Sequence, residues 1–264
     1  MKFLTNKIYI ILFLLTIFFN QSETYARDGK IQYTRENISN YFFGIISANK
    51  GYNHEAFQHL KKVQSLKNKH SKFNIEFVRT LVLLEKFDQA FAFSKETWVE
   101  EEYFFETDLL LGLQSLIKKD YLNAEKYFSR LNKVFNQDLF FEDFLGNFLL
   151  SWVKASENNK NDSFKFLDKI PKRYNNLKKI QNSFLKCYFD SSKTQLIFEQ
   201  LINDKEIEFS RYNFFLVNYL LFKNKDKEAE RVISESREKY NSNLLIKQTE
   251  NFIYTKNSKI IKNF

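Results

Sequence analysis

The chain has 264 residues, 44 % hydrophobic and 18 % aromatic, so it is long and apolar enough to bury a sizeable core and is not a disordered polymer. Five glycines and one proline exclude turn-rich all-β architectures, collagen-like arrays and Pro-rich linkers, and a single cysteine excludes an internal disulfide framework and a cysteine-cluster zinc site. The formal charge of +9 accompanies an abundance of Lys, Asn, Ile, Phe and Tyr, all encoded by AT-rich codons, so it reads as coding background before it reads as a ligand footprint.

The N-terminus reads as an address. MKFLTNK (1–7) carries Lys2 and Lys7, the twelve residues IYIILFLLTIFF (8–19) are apolar apart from Thr16, and the polar stretch NQSETYA (20–26) sets Thr24 and Ala26 before a cut. This is the layout of a secretory signal peptide cleaved after Ala26. The run is short for a membrane span, which needs about 20 residues; an uncleaved inner-membrane anchor is the alternative. No cysteine lies near the cut, so a lipid-modified anchor is excluded. Removing residues 1–26 takes away Lys2, Lys7 and Glu23, leaving a mature charge of +8. The expected location is periplasmic in a bacterium, or secreted. Export also argues against a nucleic-acid partner.

A linker (27–36) leads into helical spacing from Ile38 to Tyr254. Ala56, Leu60, Val63 and Leu66 recur every three or four residues, as do Ala124, Phe128, Leu131 and Phe135, and Ala229, Val232, Ile233 and Tyr240. Each set marks an amphipathic helix with one buried face. Between them lie segments apolar nearly all round, LLLGLQSLI (109–117) and YNFFLVNYLLF (212–222), which are expected to be covered on more than one side. Sustained period-2 alternation and Asn-Gly or Asp-Gly hairpin turns are absent. Ser71, Asp162 or Ser163, and Ser191 or Ser192 are expected helix caps.

The segments repeat. Ala56, Ala90 and Ala124 stand 34 apart, and so do Gly44, Val78, Gly112 and Gly146. Small residues at such points let paired helices cross closely. The pattern resembles the tetratricopeptide repeat family, through Gly51, Ala56 and Leu60 in KGYNHEAFQHL (50–60), Phe87 and Ala90 in KFDQAFAFS (86–94), Tyr121, Ala124, Phe128 and Leu131 in DYLNAEKYFSRL (120–131), and Ala229 and Ile233 in KDKEAERVI (225–233). The resemblance implies an all-α, right-handed α-solenoid of antiparallel helix pairs over 37–264. Six repeats are expected near 37–70, 71–104, 105–138, 139–173, 174–209 and 210–243, with a partial seventh at 244–264.

The sequence departs from the family in places. The second helix near Ser163 comes about five residues late, an excess assigned to the loop ENNKND (157–162), and Thr194 stands where Ala is expected. The family's early aromatic is replaced by Asn40, Asn74, Asp108, Glu142 and Asn213. The ending on Ile260, Ile261 and Phe264 fits either a fragment of a longer repeat protein or a terminal cap that self-associates through that face.

No Gly-rich phosphate loop or G-x-S-x-G elbow is present, and no cofactor is expected. His54 and His59 are five apart, a poor spacing for metal ligands on a helix, so they read as surface residues. Cys187 reads as a small core or groove residue. In the family, first helices line a groove that holds an extended peptide or a partner helix. Carried over, the groove comprises Tyr41, Ile45 and Ala48, then Ile75, Arg79 and Val82, then Leu109, Leu113 and Leu116, then Asp143, Asn147 and Leu150. The positions that clamp a C-terminal carboxylate in one sub-family hold Ile45, Glu76, Glu106 and Leu110 here, so that clamp is absent.

The resemblance therefore implies a non-enzymatic scaffold for a protein or peptide partner. Alternatives are a membrane-tethered assembly factor for envelope or respiratory complexes, and binding of an anionic envelope polymer through Lys165, Lys169, Lys172, Arg173, Lys178 and Lys179.

Overall fold

A computed structural model describes residues 33–67, 69–102, 104–133, 142–204 and 210–255. The expected signal peptide, the first part of the linker and the segment 256–264 lie outside these residues. The described residues are helical almost throughout and contain no strand. The chain divides into two compact units, one ending at Glu85 and one beginning at Lys86.

The first unit contains α1 (Arg35–Asn49), α2 (Asn53–Leu60), a 3-10 turn (Lys61–Leu66) and α3 (Ser71–Leu83). The second contains α4 (Phe87–Thr97), α5 (Phe105–Ile117), α6 (Tyr121–Leu131), α7 (Glu142–Ser156) and α8 (Lys160–Asp168). It continues through a 3-10 turn (Lys172–Tyr174), α9 (Asn175–Tyr188), α10 (Thr194–Asn203), α11 (Ser210–Phe222), α12 (Asp226–Lys239) and α13 (Leu244–Thr255). In the second unit α5 packs on α6, α7 on α8, α9 on α10 and α11 on α12, and each second helix packs on the first helix of the next pair.

α6 shows why the sequence folds this way. Asp120 caps its N-terminus, accepting from the Asn123 backbone N–H at 3.3 Å, and Ala124, Phe128 and Leu131 form one buried stripe while Leu122 faces water. Each large side chain so buried is worth about 1.5–3 kcal/mol.

Chain reversals share one conformation. Between successive helices a residue adopts left-handed backbone: Gly51 (φ 77°), Glu85 (57°), Lys119 (60°), Asn158 (59°), Asp190 (47°) and Asn224 (57°). Only Gly51 does so without a Cβ clash; a non-glycine residue spends about 1–2 kcal/mol there. These turns set the true register. They step by 34, 34, 39, 32 and 34 residues. The buried small residues Ala56, Ala90, Ala124, Ser163, Thr194 and Ala229 follow closely, at 34, 34, 39, 31 and 35.

Two expectations about the fourth repeat are thereby corrected. The five extra residues fall between α6 and α7, not in 157–162: Glu157–Asn159 is a three-residue connector like Lys118–Asp120, and 160–162 already belong to α8. Gly146 also leaves the crossing-point class. A Cβ on Gly44 would lie 2.5 Å from Leu60 and one on Gly112 would strike the Phe128 ring, in each case a residue of the paired helix sixteen positions on. A Cβ on Gly146 would instead meet Asn132, at the end of the preceding helix. Buried Ser151, sixteen positions before buried Leu167, occupies the crossing position of this repeat.

Other differences are local. α3 begins at Ser71 itself, with His70 as an N-cap whose side chain makes no capping bond. α8 is capped by Asn159, which accepts from Asp162 N–H at 3.1 Å, rather than by Asp162 or Ser163. Neither Ser191 nor Ser192 is the N-cap of α10; Lys193 is, and Ser191 Oγ accepts from Lys193 N–H at 3.3 Å in the turn before it. Thr194 fits the small position because its hydroxyl donates to the Lys186 carbonyl at 2.9 Å. The replacements for the early aromatic are each buried, Asn40 and Asn74 in the first unit and Asp108 and Asn213 in the second, and the corrected register adds Asn147.

Candidate functional site

Asn147 and Leu150 are the predicted groove residues that the fold moves elsewhere. Leu150 is 2 % exposed and belongs to the core with Ala124, Phe128 and Val153. Asn147 is buried, and its Oδ1 lies 3.5 Å from Asn132 Nδ2. The physical reason is the five-residue displacement: advancing by five turns Phe148 and Trp152, both half-buried, to the positions assigned to Asp143 and Asn147.

Of the remaining predicted residues, the side chain of Asp143 lies outside those described; the others are accessible in varying degree. In the first unit Tyr41, Ile45, Ala48, Ile75 and Val82 are half-buried, with the Tyr41 ring 5.8 Å from that of His70, and exposed Arg79 lies 3.5 Å from Glu76. In the second, Leu109, Leu113 and Leu116 are half-buried against the Phe128 core. Ile117 ends the same helix largely in water, although the segment is apolar all round.

The basic cluster is largely engaged within the protein. Lys165 pairs with Asp162 (2.9 Å), Lys178 with Asp168 (3.0 Å) and Lys179 with Asp204 (2.8 Å), while Lys169 lies over the Phe166 ring and Arg173 over the Tyr174 ring. Lys172 is exposed. Among the histidines, His54 is exposed, but His59 holds Asn40 Oδ1 at 2.9 Å and stacks on Phe43, and His70 meets the Tyr33 hydroxyl at 3.3 Å. Among the described residues no group of three or more His, Cys, Asp or Glu is placed to hold a metal ion.

An apolar, aromatic recess lies between α9 and α11. It has a volume of about 440 Å³ and is lined by Phe184, Cys187, Tyr188, Phe198, Phe215, Asn218, Tyr219 and Phe222. α9 and α11 are the first helices of consecutive pairs, and both pack on α10, which supplies Phe198 as part of the wall. The Phe184 ring meets those of Phe215 (5.0 Å) and Phe198 (6.0 Å) edge-on, a favoured aromatic arrangement. At the rim Phe222 is 69 % exposed, and the Tyr188 ring stands 5.8 Å from Trp152, whose Nε1 donates to Gln181 at 3.2 Å. Asn218 Nδ2 donates to the Phe214 carbonyl at 2.7 Å.

Asn218 also lines a second recess, of about 570 Å³, between α11 and α13, with Phe214, Leu245, Gln248 and Phe252 in its walls. The two recesses share Asn218, and neither wall of this lane, aromatic on the α9 side and mixed on the α13 side, carries an acidic side chain. Beside it Lys223 is held by Asp190 at 2.5 Å, and that bond raises its pKa. Burial, and secondarily Asp190, raises the pKa of the Cys187 thiol. The lane was missed in the sequence because the carry-over of groove positions stopped at the fourth repeat. The signal was present in YNFFLVNYLLF, where an all-round apolar helix presents more aromatic surface than one core can cover.

A second polar feature ties down the connector after α4. Asp108 is 0 % exposed, and its Oδ1 accepts from Arg130 Nε and Trp98 Nε1, both at 2.9 Å. Arg130 also donates to the backbone carbonyls of Val99 (3.1 Å), Glu100 (2.5 Å) and Glu102, and both Lys126 (4.5 Å) and Arg130 (4.9 Å) lie over the Trp98 ring. Burial raises the Asp108 pKa against these bonds, and its Oδ2 is buried without a hydrogen-bond partner.

The arrangement is that of an all-α repeat protein with an apolar recess. The chain has the fold of a tetratricopeptide repeat solenoid. It is similar to the crystal structure of a tetratricopeptide repeat protein from Parabacteroides merdae ATCC 43184, with a TM-score of 0.54 and 14 % identity over 83 % of this chain and 84 % of that one. No family model and no curated protein sequence matches the chain.

Proposed function

We propose that this chain is an exported, non-enzymatic interaction scaffold that takes a peptide or helix of a protein partner in the aromatic lane of its second unit. The observation that carries the reading is the recess of about 440 Å³ with aromatic, uncharged walls, flanked by exposed Phe222. Recesses of this size and polarity take large apolar side chains, and rigid rings lose little conformational entropy when they are covered. The fold supports the class of function, because stacked helix pairs offer extended binding surfaces rather than a single catalytic cleft. Export is supported by the basic, apolar and polar order of residues 1–26. The internal pairing of the Lys165–Lys179 cluster speaks against that cluster as a polymer site.

The test is a pull-down from cell-envelope extract with the full chain beside Phe222→Glu and Leu113→Glu, each checked for unchanged helicity. A partner retained by the wild type and lost with Phe222→Glu supports the lane. Loss only with Leu113→Glu would move the site to α5. Equal retention by all three proteins would refute the reading.

A further inference from the structure

The first unit carries a surface feature separate from the lane. On α1 the residues turned inward are Asn40 and Gly44, while the outer face sets Ile38, Phe42, Phe43 and Ile46 in water beside exposed Arg35, Ser39 and Asn49. Ile38, Phe42, Phe43 and Ile46 are 43–57 % exposed, and Ile45 is half-buried beside them. This inverts ordinary helix amphipathicity, in which the apolar stripe faces the core. Phe42 touches Tyr41 of its own helix and Phe43 rests one side on His59, and both rings still leave more than half their surface in water. Exposed Tyr33 and Tyr52 bracket the helix at its two ends. Ile38, Phe42, Phe43 and Ile46 leave roughly 400 Å² of apolar surface in water, taking typical side-chain areas, the size of the largest patch on a typical monomer, which is often functional.

Charge distinguishes the candidate occupants. Residues 33–85 carry eight Lys and Arg against four Asp and Glu, whereas residues 86–264 carry 29 against 26. The short first unit thus holds more net positive charge than the long second one. Lys50 caps the C-terminal end of α1, and Lys61, Lys62 and Lys69 are exposed on the segment that follows α2. The patch alone provides about half of the roughly 800 Å² that each partner buries in a stable dimer. An apolar, aromatic helix face on a basic module is the chemistry of the membrane interface: rings enter the headgroup and acyl boundary while Lys and Arg meet anionic headgroups. No described helix is long and apolar enough to cross a membrane, so contact would be along the surface.

We infer that the outer face of α1 docks the protein on an anionic lipid bilayer, with Phe42, Phe43 and Ile46 as the inserted side chains. The probe is vesicles of mixed zwitterionic and anionic phospholipid, some with brominated acyl chains. The full chain carries Phe42→Trp, and a second protein carries Leu122→Trp, an exposed position of α6, as control. The expected result is a blue shift and bromine quenching at position 42 only. The quenching should weaken when anionic lipid is omitted or salt is raised, and the Phe42→Asp/Ile46→Asp protein should bind vesicles about tenfold or more weakly. Because quenching requires contact with the acyl chains, retention of the apolar residues 8–19 would not by itself produce it at position 42. Equal quenching at 42 and 122, or none at either, overturns the inference. So does a blue shift without lipid: one that grows with protein concentration assigns the face to a second copy, and one independent of concentration assigns it to another part of the same chain.

Discussion

Replacing Gly112 by Ala should destabilise the protein, and replacing Gly146 by Ala should not. At Gly112 the new Cβ would lie inside the contact distance of the Phe128 ring, with Cδ1 only 2.6 Å away. Phe128 is fully buried, so the ring cannot leave and the helices must separate. Overpacking of this kind costs about 1–3 kcal/mol, here at the upper end. Alanine in place of glycine within a helix returns about 1 kcal/mol. The net expectation is a loss of about 2 kcal/mol. At Gly146 the obstacle is the tip of Asn132, an exposed side chain free to swing outward. What is lost there is the long amide contact to Asn147, about 0.5 kcal/mol, against the same gain of about 1 kcal/mol in propensity. Urea unfolding followed by far-UV circular dichroism measures both, compared on the same transition because helix-repeat arrays need not unfold in one step. Equal stability of the Gly112→Ala and wild-type proteins, or an equal loss from Gly146→Ala, would refute the assigned crossing points.

Arg130→Met should cost about 3–5 kcal/mol at neutral pH, since it leaves Asp108 buried without its countercharge. In a Trp152→Phe background the emission of Trp98 should shift to the red as the connector is released, and unchanged emission would contradict the clasp. Burial holds the Asp108 carboxyl above the ordinary aspartate range, so the folded chain keeps this proton after the unfolded chain has lost it. The stability it contributes is complete below the unfolded pKa and is lost as pH rises through the folded one. Asp108→Asn cannot titrate. The unfolding-midpoint difference, wild type minus variant, should therefore fall across that window, and a flat or rising difference would be the wrong sign. Burial also raises the Cys187 pKa, so alkylation at neutral pH should be slower than for a free thiol, and a free-thiol rate would contradict this. Leu150→Glu should unfold the α6–α8 region, whereas Phe222→Glu should leave helicity unchanged; near-UV and far-UV dichroism separate the two.

Much of the fold was legible because position and physics agreed. Ala56, Ala90 and Ala124 repeat at 34 because each must vanish between two helices, and Gly44 and Gly112 because Leu60 and Phe128 occupy the space of their missing Cβ atoms. Gly146 misled because a helix can place a glycine against its predecessor as readily as against its partner, and spacing does not tell the two apart. ENNKND misled because three of its residues form a polar first turn of α8, indistinguishable by composition from a loop. The site was less legible for the same cause. A slip of five residues carried the groove from Phe148 and Trp152 onto Asp143 and buried Asn147. Beyond it, the Ser183 and Thr194 repeat lacks the alanine that would have extended the carry-over to Phe184, Tyr188 and Phe222.

The most direct test of the aromatic lane is a photo-crosslinking amino acid placed at position 222, with position 122 as an exposed control on α6. The proposed function requires one discrete protein adduct from 222 in intact cells, absent from 122 and lost when Phe184→Glu is added in a chain that remains helical. Adducts of equal yield and identity from both positions, or an adduct at 222 that persists with Phe184→Glu, would contradict it.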